Sequence, residues 1–206
     1  MQNKPDTISA ANKPAKKKRR GPKKPKKITA GYLRNSGLYY LQRFTASSGH
    51  FRSVMTQKIR KSCAHHTDQD PQICADMLEE IIDNFIRDGL LDDENYTRGM
   101  VTSLRRSGKS RKAILTKLQH KRIPQDMIHE ALSAHDDQTS DDPQDAEFIA
   151  ALKLTKKKRL GRFDLNQKYE HDKALAVMAR NGFSYDTAKK SLEIDEDDLE
   201  RFIHLL

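Results

Sequence analysis

Tryptophan is absent from the 206 residues, and cysteine occurs only twice, as Cys63 and Cys74. Two cysteines cannot build the disulfide framework of a small secreted domain. They suit a reducing compartment, so a cytoplasmic location is expected. The two flank His65 and His66, and a zinc site can be imagined, but their spacing matches no common zinc pattern. Residues 63–71 read instead as a polar loop. Glycine (9) and proline (7) are scarce and fall between periodic segments, which favours helices. No apolar run approaches the ~20 residues that span a bilayer, and the N-terminus lacks the apolar stretch of a secretory signal. No phosphate-binding glycine loop or nucleophile–base pair is recognisable. Gly108-Lys109-Ser110 resembles the end of a Walker A loop, but position 103, where the preceding glycine belongs, is serine. These absences exclude the common enzyme signatures, and no catalytic residue, metal or cofactor is expected.

What the chain does carry is charge. Charged residues make up 33% of it and hydrophobic residues 35%, with a net charge of +10. That is a lean core under a large polar surface, as in small helical units. Residues 1–30 hold 11 Lys and Arg against one acid, Asp6, while the remaining 28 basic residues face 28 acidic ones. The tail includes Lys16, Lys17, Lys18, Arg19, Arg20, Lys23, Lys24, Lys26 and Lys27. With almost nothing apolar to bury it is expected to be disordered, and to act as a non-specific grip on polyanions through counterion release. A merely solubilising tail is the plainer alternative.

From Ile28 onward the chain is periodic. Tyr32-Leu33 and Leu38 to Phe44 suggest one helix; Phe51, Val54, Met55 and Ile59 suggest a second. Asp70-Pro71 reads as a cap with proline opening a third, which carries Leu78, Ile81, Ile82, Phe85 and Ile86. Ile73, Asp76, Leu78 and Ile82 recur fifty positions later as Ile123, Asp126, Ile128 and Leu132. Sixty later again stand Phe183, Asp186, Ala188 and Leu192. Each set is read as an apolar residue before a short helix, an acid in its first turn and two apolar residues inside. The expected fold class is therefore all-α, with three tandem three-helix units over 31–90, 91–135 and 143–206. An acidic, flexible linker is expected at 136–142, with Asp142 capping the helix opened by Pro143. An extra C-terminal helix with Leu199, Phe202, Ile203 and Leu206 on one face should cover the third unit.

The densest signal is Gly89-Leu-Leu-Asp-Asp-Glu94, followed by Arg105-Arg-Ser-Gly-Lys-Ser-Arg111. Gly89 ends one helix, Asp92 or Asp93 caps the next, Gly108 stops it, and Ser110 caps another. At about 100° per residue, Tyr96, Met100 and Leu104 form an apolar stripe, and Arg98 and Arg105 lie opposite. Arg106, Lys109, Arg111 and Lys112 would continue that basic edge. A second cluster follows the helix bearing Phe148, Ile149, Leu152 and Leu154: Lys156, Lys157, Lys158 and Arg159, with Arg162 beyond Gly161. The helix dipole accounts for part of this run, and four adjacent cations exceed what it needs.

Gly89–Glu94, Arg105–Lys109, Ile123–Leu132 and the Gly-Phe-Ser-Tyr-Asp element at Gly182–Asp186 occur in an order and at separations that resemble the RecX family, over about residues 31–194. The first unit departs from the pattern: its loop near Cys63–Asp70 looks lengthened and its basic cluster is thin. The tail is no standard family feature. The resemblance implies an elongated, gently curved array lying along the groove of a RecA–DNA filament. There it would inhibit recombinase, ATPase and coprotease activities in DNA repair and the SOS response, without chemistry of its own. The implied partners are the RecA filament and, through it and the tail, single-stranded or duplex DNA; no membrane is implied, and a monomer is expected. The eleven cations from Arg98 to Arg162 named above are the expected contact residues, and charge reversal at Arg105 and Arg106 is expected to spare the fold. A stand-alone helical nucleic-acid-binding protein anchored by its tail is the alternative.

Overall fold

The computed structural model describes residues 24–139, 143–166 and 168–206, apart from the side chains of 143 and 144. Among the described residues every regular element is helical. The first unit comprises α1 (Ala30–Leu41), α2 (Ser48–His65) and α3 (Pro71–Arg87). The second comprises α4 (Asp93–Arg106), α5 (Arg111–Gln119) and α6 (Gln125–Thr139). The third comprises α7 (Pro143–Lys158), α8 (His171–Arg180) and α9 (Tyr185–Leu192), followed by α10 (Glu196–Phe202). Each three-helix set has its own apolar cluster, built on Phe51, Ile82 and Phe85, on Val101, Ile114 and Ile128, and on Ala151, Met178 and Leu192.

Caps set most of the boundaries. Asp70, Asp92, Ser110 and Ser184 each accept an N–H from the first turn of the helix they precede. Gly89 (φ +72°), Gly108 (φ +73°) and Gly182 (φ +87°) supply the left-handed turns. Phe202 meets Phe148 edge to face at 5.4 Å, so α10 touches the third unit, but the helix ends at Phe202 and Ile203 lies in a following 3-10 turn, 49% exposed, so the expected four-residue apolar face does not form.

Several sequence expectations need correction. α2 runs through Cys63 to His65, so the expected loop shrinks to residues 66–70. α6 continues to Thr139, so Asp136 and Asp137 belong to a helix and not to a flexible linker. Asp136 is 2% exposed, and its buried partner explains why the helix persists through an acidic run. Ile73 lies within α3 and is 54% exposed, whereas Ile123 and Phe183 precede their helices and are buried; the first repeat is imperfect there. Residues 1–23, and with them most of the basic tail, lie outside the described residues, as does Asp142. The last stretch of the expected tail, however, is fastened. Ile28 is 3% exposed, its N–H and C=O both bond Gln69 at 2.9 Å, and Ser62 donates to the Lys26 carbonyl at 2.7 Å.

Consecutive units are joined the same way twice. Ser47, fully buried, caps α2 by accepting the His50 N–H and donates its hydroxyl to the Lys121 carbonyl in the turn before α6. Ser110, also fully buried, caps α5 and donates to the Asn181 carbonyl at 2.7 Å in the turn before α9. A carboxylate of the following unit then meets each helix N-terminus, where orphan N–H groups favour negative charge. Asp93 accepts from Ser48 N at 2.7 Å, and Glu147 from Arg111 N at 3.0 Å. One glycine relieves each joint. A Cβ on Gly49 would stand 2.5 Å from Arg122 Cβ, and one on Gly182 would stand 2.5 Å from Ser110 Oγ. Arg122 holds the left-handed turn (φ +62°) that Gly182 holds in the next unit.

Candidate partner-binding surface

α4 presents its buried face through Thr97, Val101, Leu104 and Arg105. The apolar stripe is thus centred one residue later than Tyr96–Met100–Leu104, both Tyr96 and Met100 being only half-buried. Arg105 stands four residues after Val101, about 40° round the helix, and so points inward. It is 3% exposed. Its Nε and Nη2 grip Asp136 at 3.0 and 2.6 Å, and its Nη1 reaches Glu147 at 2.5 Å and the Lys109 carbonyl at 3.2 Å. Arg111 adds a second cation to Asp136 at 3.3 Å. Burial opposes ionisation at both centres. The hydrogen bonds from His135 and Arg105 nevertheless hold the Asp136 carboxyl below the usual aspartate value, and those to Asp136 and Glu147 raise Arg105. This network ties α4, α6 and α7, and so the second unit to the third. Arg105 is a structural cation here, not the surface contact expected from the sequence.

The other expected residues divide into committed and open groups. Arg98 is exposed but turns to Asn95 at 3.0 Å and Glu94 at 3.7 Å. Lys109 is half-buried and donates to Asn181 at 3.2 Å, inside the joint. Arg162 pairs with Glu196 at 2.8 Å. Arg106, Lys112, Lys156, Lys157, Lys158 and Arg159 are exposed and make no ion pair among the described residues. Arg106 lies close enough to Lys153 to lower its pKa, second to burial, so the end of α4 and α7 together raise a positive ridge. Lys24, Lys26 and Lys27 sit beside the first unit; Lys27 pairs with Asp68, and the Lys26 ammonium lies 6.0 Å from the Tyr32 ring.

Beyond α5, an open groove between the second and third units is lined by both Arg111 and Lys190 and by Asp186 and Asp198, and mixed charge of this kind selects neither sign of ligand. Cys63 and Cys74 are free thiols; burial, then Cys63, pushes the Cys74 thiol up, which makes a poor thiolate ligand. Among the described residues no three His, Cys, Asp or Glu side chains converge on a common point, and no helix is long and apolar enough to cross a membrane.

Comparison with known proteins meets this geometry at its best-defined part. A family description, the second three-helix domain of RecX, matches residues 92–132, which are α4, α5 and the first half of α6. The regulatory protein RecX of Myxococcus xanthus is 34% identical over 183 residues, covering 87% of this chain and 94% of that protein. The chain belongs to the RecX family. RecX of Agrobacterium fabrum is 27% identical over 171 residues, covering 82% of this chain and 86% of its own. Two crystal structures share the fold. RecX from Lactobacillus salivarius superposes with a TM-score of 0.53 at 21% identity, over 84% of this chain and 97% of that one. A second regulatory protein RecX gives 0.55 at 20%, over 81% and 72%. Both curated relatives are named regulatory proteins, and the two solved structures share the chain's all-helical fold.

Proposed function

We propose that this RecX-family chain binds a RecA–DNA filament and inhibits it, slowing its ATP hydrolysis and thereby its recombinase and coprotease work. The observation that carries this is the contrast between committed and open cations. Arg105, Lys109 and Arg111 are spent on holding two units together, while Arg106, Lys112 and Lys156–Arg159 are exposed and engage no acid among the described residues. A rigid row of cations on serially joined units suits a partner that itself repeats and presents DNA phosphates and acidic protein surface.

The test is single-stranded-DNA-dependent ATP hydrolysis by the RecA of the same organism. It is titrated with the full chain, with a chain lacking residues 1–23, and with Arg106→Glu/Lys156→Glu/Lys157→Glu. Substoichiometric suppression by the first two is expected, with potency of the triple variant reduced about tenfold or more. Suppression by the full chain alone, and only near saturation of the DNA, would mean competition for phosphates by the tail. The chain would then act as a stand-alone nucleic-acid-binding protein.

A further inference from the structure

The first unit carries a feature that neither the joints nor the positive ridge uses. Between Asp6 and Asp68 the chain contains no acidic residue, so α1 and α2 are free of negative charge. Over residues 31–67 they and their connection hold six basic residues: Arg34, Arg43, Arg52, Lys58, Arg60 and Lys61. The one ion pair α2 makes among the described residues is with α3, between Arg52 and Glu79 at 2.7 Å. Along α1, Tyr32 and Tyr39 are seven residues apart, which puts them on one face, about 20° and roughly 10 Å from each other. Each ring has at least one cation beside it. The Lys58 ammonium lies 5.2 Å from the Tyr32 centroid, with Lys26 on the same ring. The Arg43 guanidinium lies 5.3 Å from the Tyr39 centroid and donates to the Tyr39 hydroxyl at 2.7 Å. Tyr39 is 61% exposed and Phe44, in the turn that follows, 56%. Phe44 rests one side of its ring on Tyr40 at 5.2 Å and, like Tyr39, leaves more than half of its surface in water, which is costly for large aromatic side chains; the core of this unit is already closed by Phe51 and Phe85.

We propose that this face of the first unit binds single-stranded nucleic acid, with bases stacked on Tyr39 and Phe44 and phosphates held by Arg43, Lys58 and Lys26. Stacking platforms interleaved with cations are the general solution for unpaired strands, because every base has a π-face and every linkage a negative charge. A protein partner would also use Tyr, Phe and Arg, but a surface with no acid over two helices repels basic segments and matches a uniform polyanion better.

The site differs from the ridge of the second and third units, and its test needs no RecA, so each proposal fails separately. The full chain is titrated with fluorescein-labelled oligo-dT and with an abasic oligonucleotide of the same length, followed by anisotropy. With no tryptophan in the chain, quenching of tyrosine emission reports base stacking directly. Wild type is expected to prefer oligo-dT by about tenfold and to be quenched by it. Tyr39→Ala/Phe44→Ala should bind both strands alike with little quenching, and Tyr39→Phe should keep the preference. Equal binding of the two strands by wild type, or a preference that survives the double alanine variant, overturns the proposal.

Discussion

A guanidinium that is 3% exposed in a chain so rich in surface cations needs dedicated acids, and Arg105 has them in Asp136 and Glu147. Removing one side of a buried pair strands the other charge at a cost of about 3–5 kcal/mol. Arg105→Met should therefore lower unfolding stability in urea by about that amount, and Arg105→Met/Asp136→Leu should recover most of it; a loss under about 1 kcal/mol for the single variant would contradict the network. Arg105→Glu would bring three carboxylates together, so charge reversal there unfolds the protein and cannot probe partner binding. The pH dependence has a definite sign. The Asp136 pKa is lowered in the fold, so its contribution is complete above the unfolded aspartate value of about 4 and is lost as pH falls through the lower folded one. Wild type should lose stability below about pH 4 more steeply than the double variant, in unfolding curves taken from pH 7 down to 3. The inward turn of Arg105 was legible in principle: Thr97, Val101 and Arg105 are spaced by four. What concealed it was the more hydrophobic Tyr96 and Met100 one position earlier, together with an acid 31 residues away whose helical placement no local pattern announces.

At the scale of elements, caps and stops transfer well from sequence because their physics is local. Asp70-Pro71, Gly89, Asp92, Gly108 and Ser110 each act within a few residues of themselves. The joints are not local. Ser110 is recognisable as a cap, but its second bond to Asn181 depends on a turn 71 residues on, and Ser47 uses Lys121 at a separation of 74. The joints make a coupled prediction. Gly49→Ala would drive a methyl to 2.5 Å from Arg122 Cβ and 2.9 Å from its carbonyl oxygen. It should cost about 1–3 kcal/mol as overpacking. Arg122→Gly removes the nearer clash and suits the left-handed turn, so it should restore part of that loss in a double-mutant cycle on thermal or urea unfolding. Strict additivity of the two changes would show that the glycine is not there for Arg122.

For the whole molecule, the three apolar clusters follow the three-unit organisation that hydrophobic periodicity indicates, while the limits between units follow long-range contacts that periodicity misses. Leu91 belongs to the first core, α6 extends to Thr139, and the first unit begins before α1. Deleting residues 1–30 should therefore lower stability relative to deleting 1–23, by about 1.5–3 kcal/mol for the buried Ile28 side chain, with more for the bonds stranded on Gln69 and Ser62. Equal melting temperatures for the two truncations would show that this segment is dispensable. The open ridge of Arg106 and Lys156–Arg159 was visible in sequence as charge runs, since four adjacent cations cannot all be buried; which neighbouring cations were spent inside was not.

The uneven placement of acids acts well beyond contact distance. Residues 31–67 carry six positive charges and no negative one, whereas residues 68–206 carry 22 against 28. Seven of those acids and a single base, Arg87, lie in residues 68–90, so the first unit is neutral as a whole but polarised across itself, with α1 and α2 on its basic side. In the field of a polyanion such a unit would be turned, before any contact, with α1 and α2 toward the charge. Salt would screen that orienting field beyond about 10 Å, so its effect would fall on the rate of encounter more than on the rate of release.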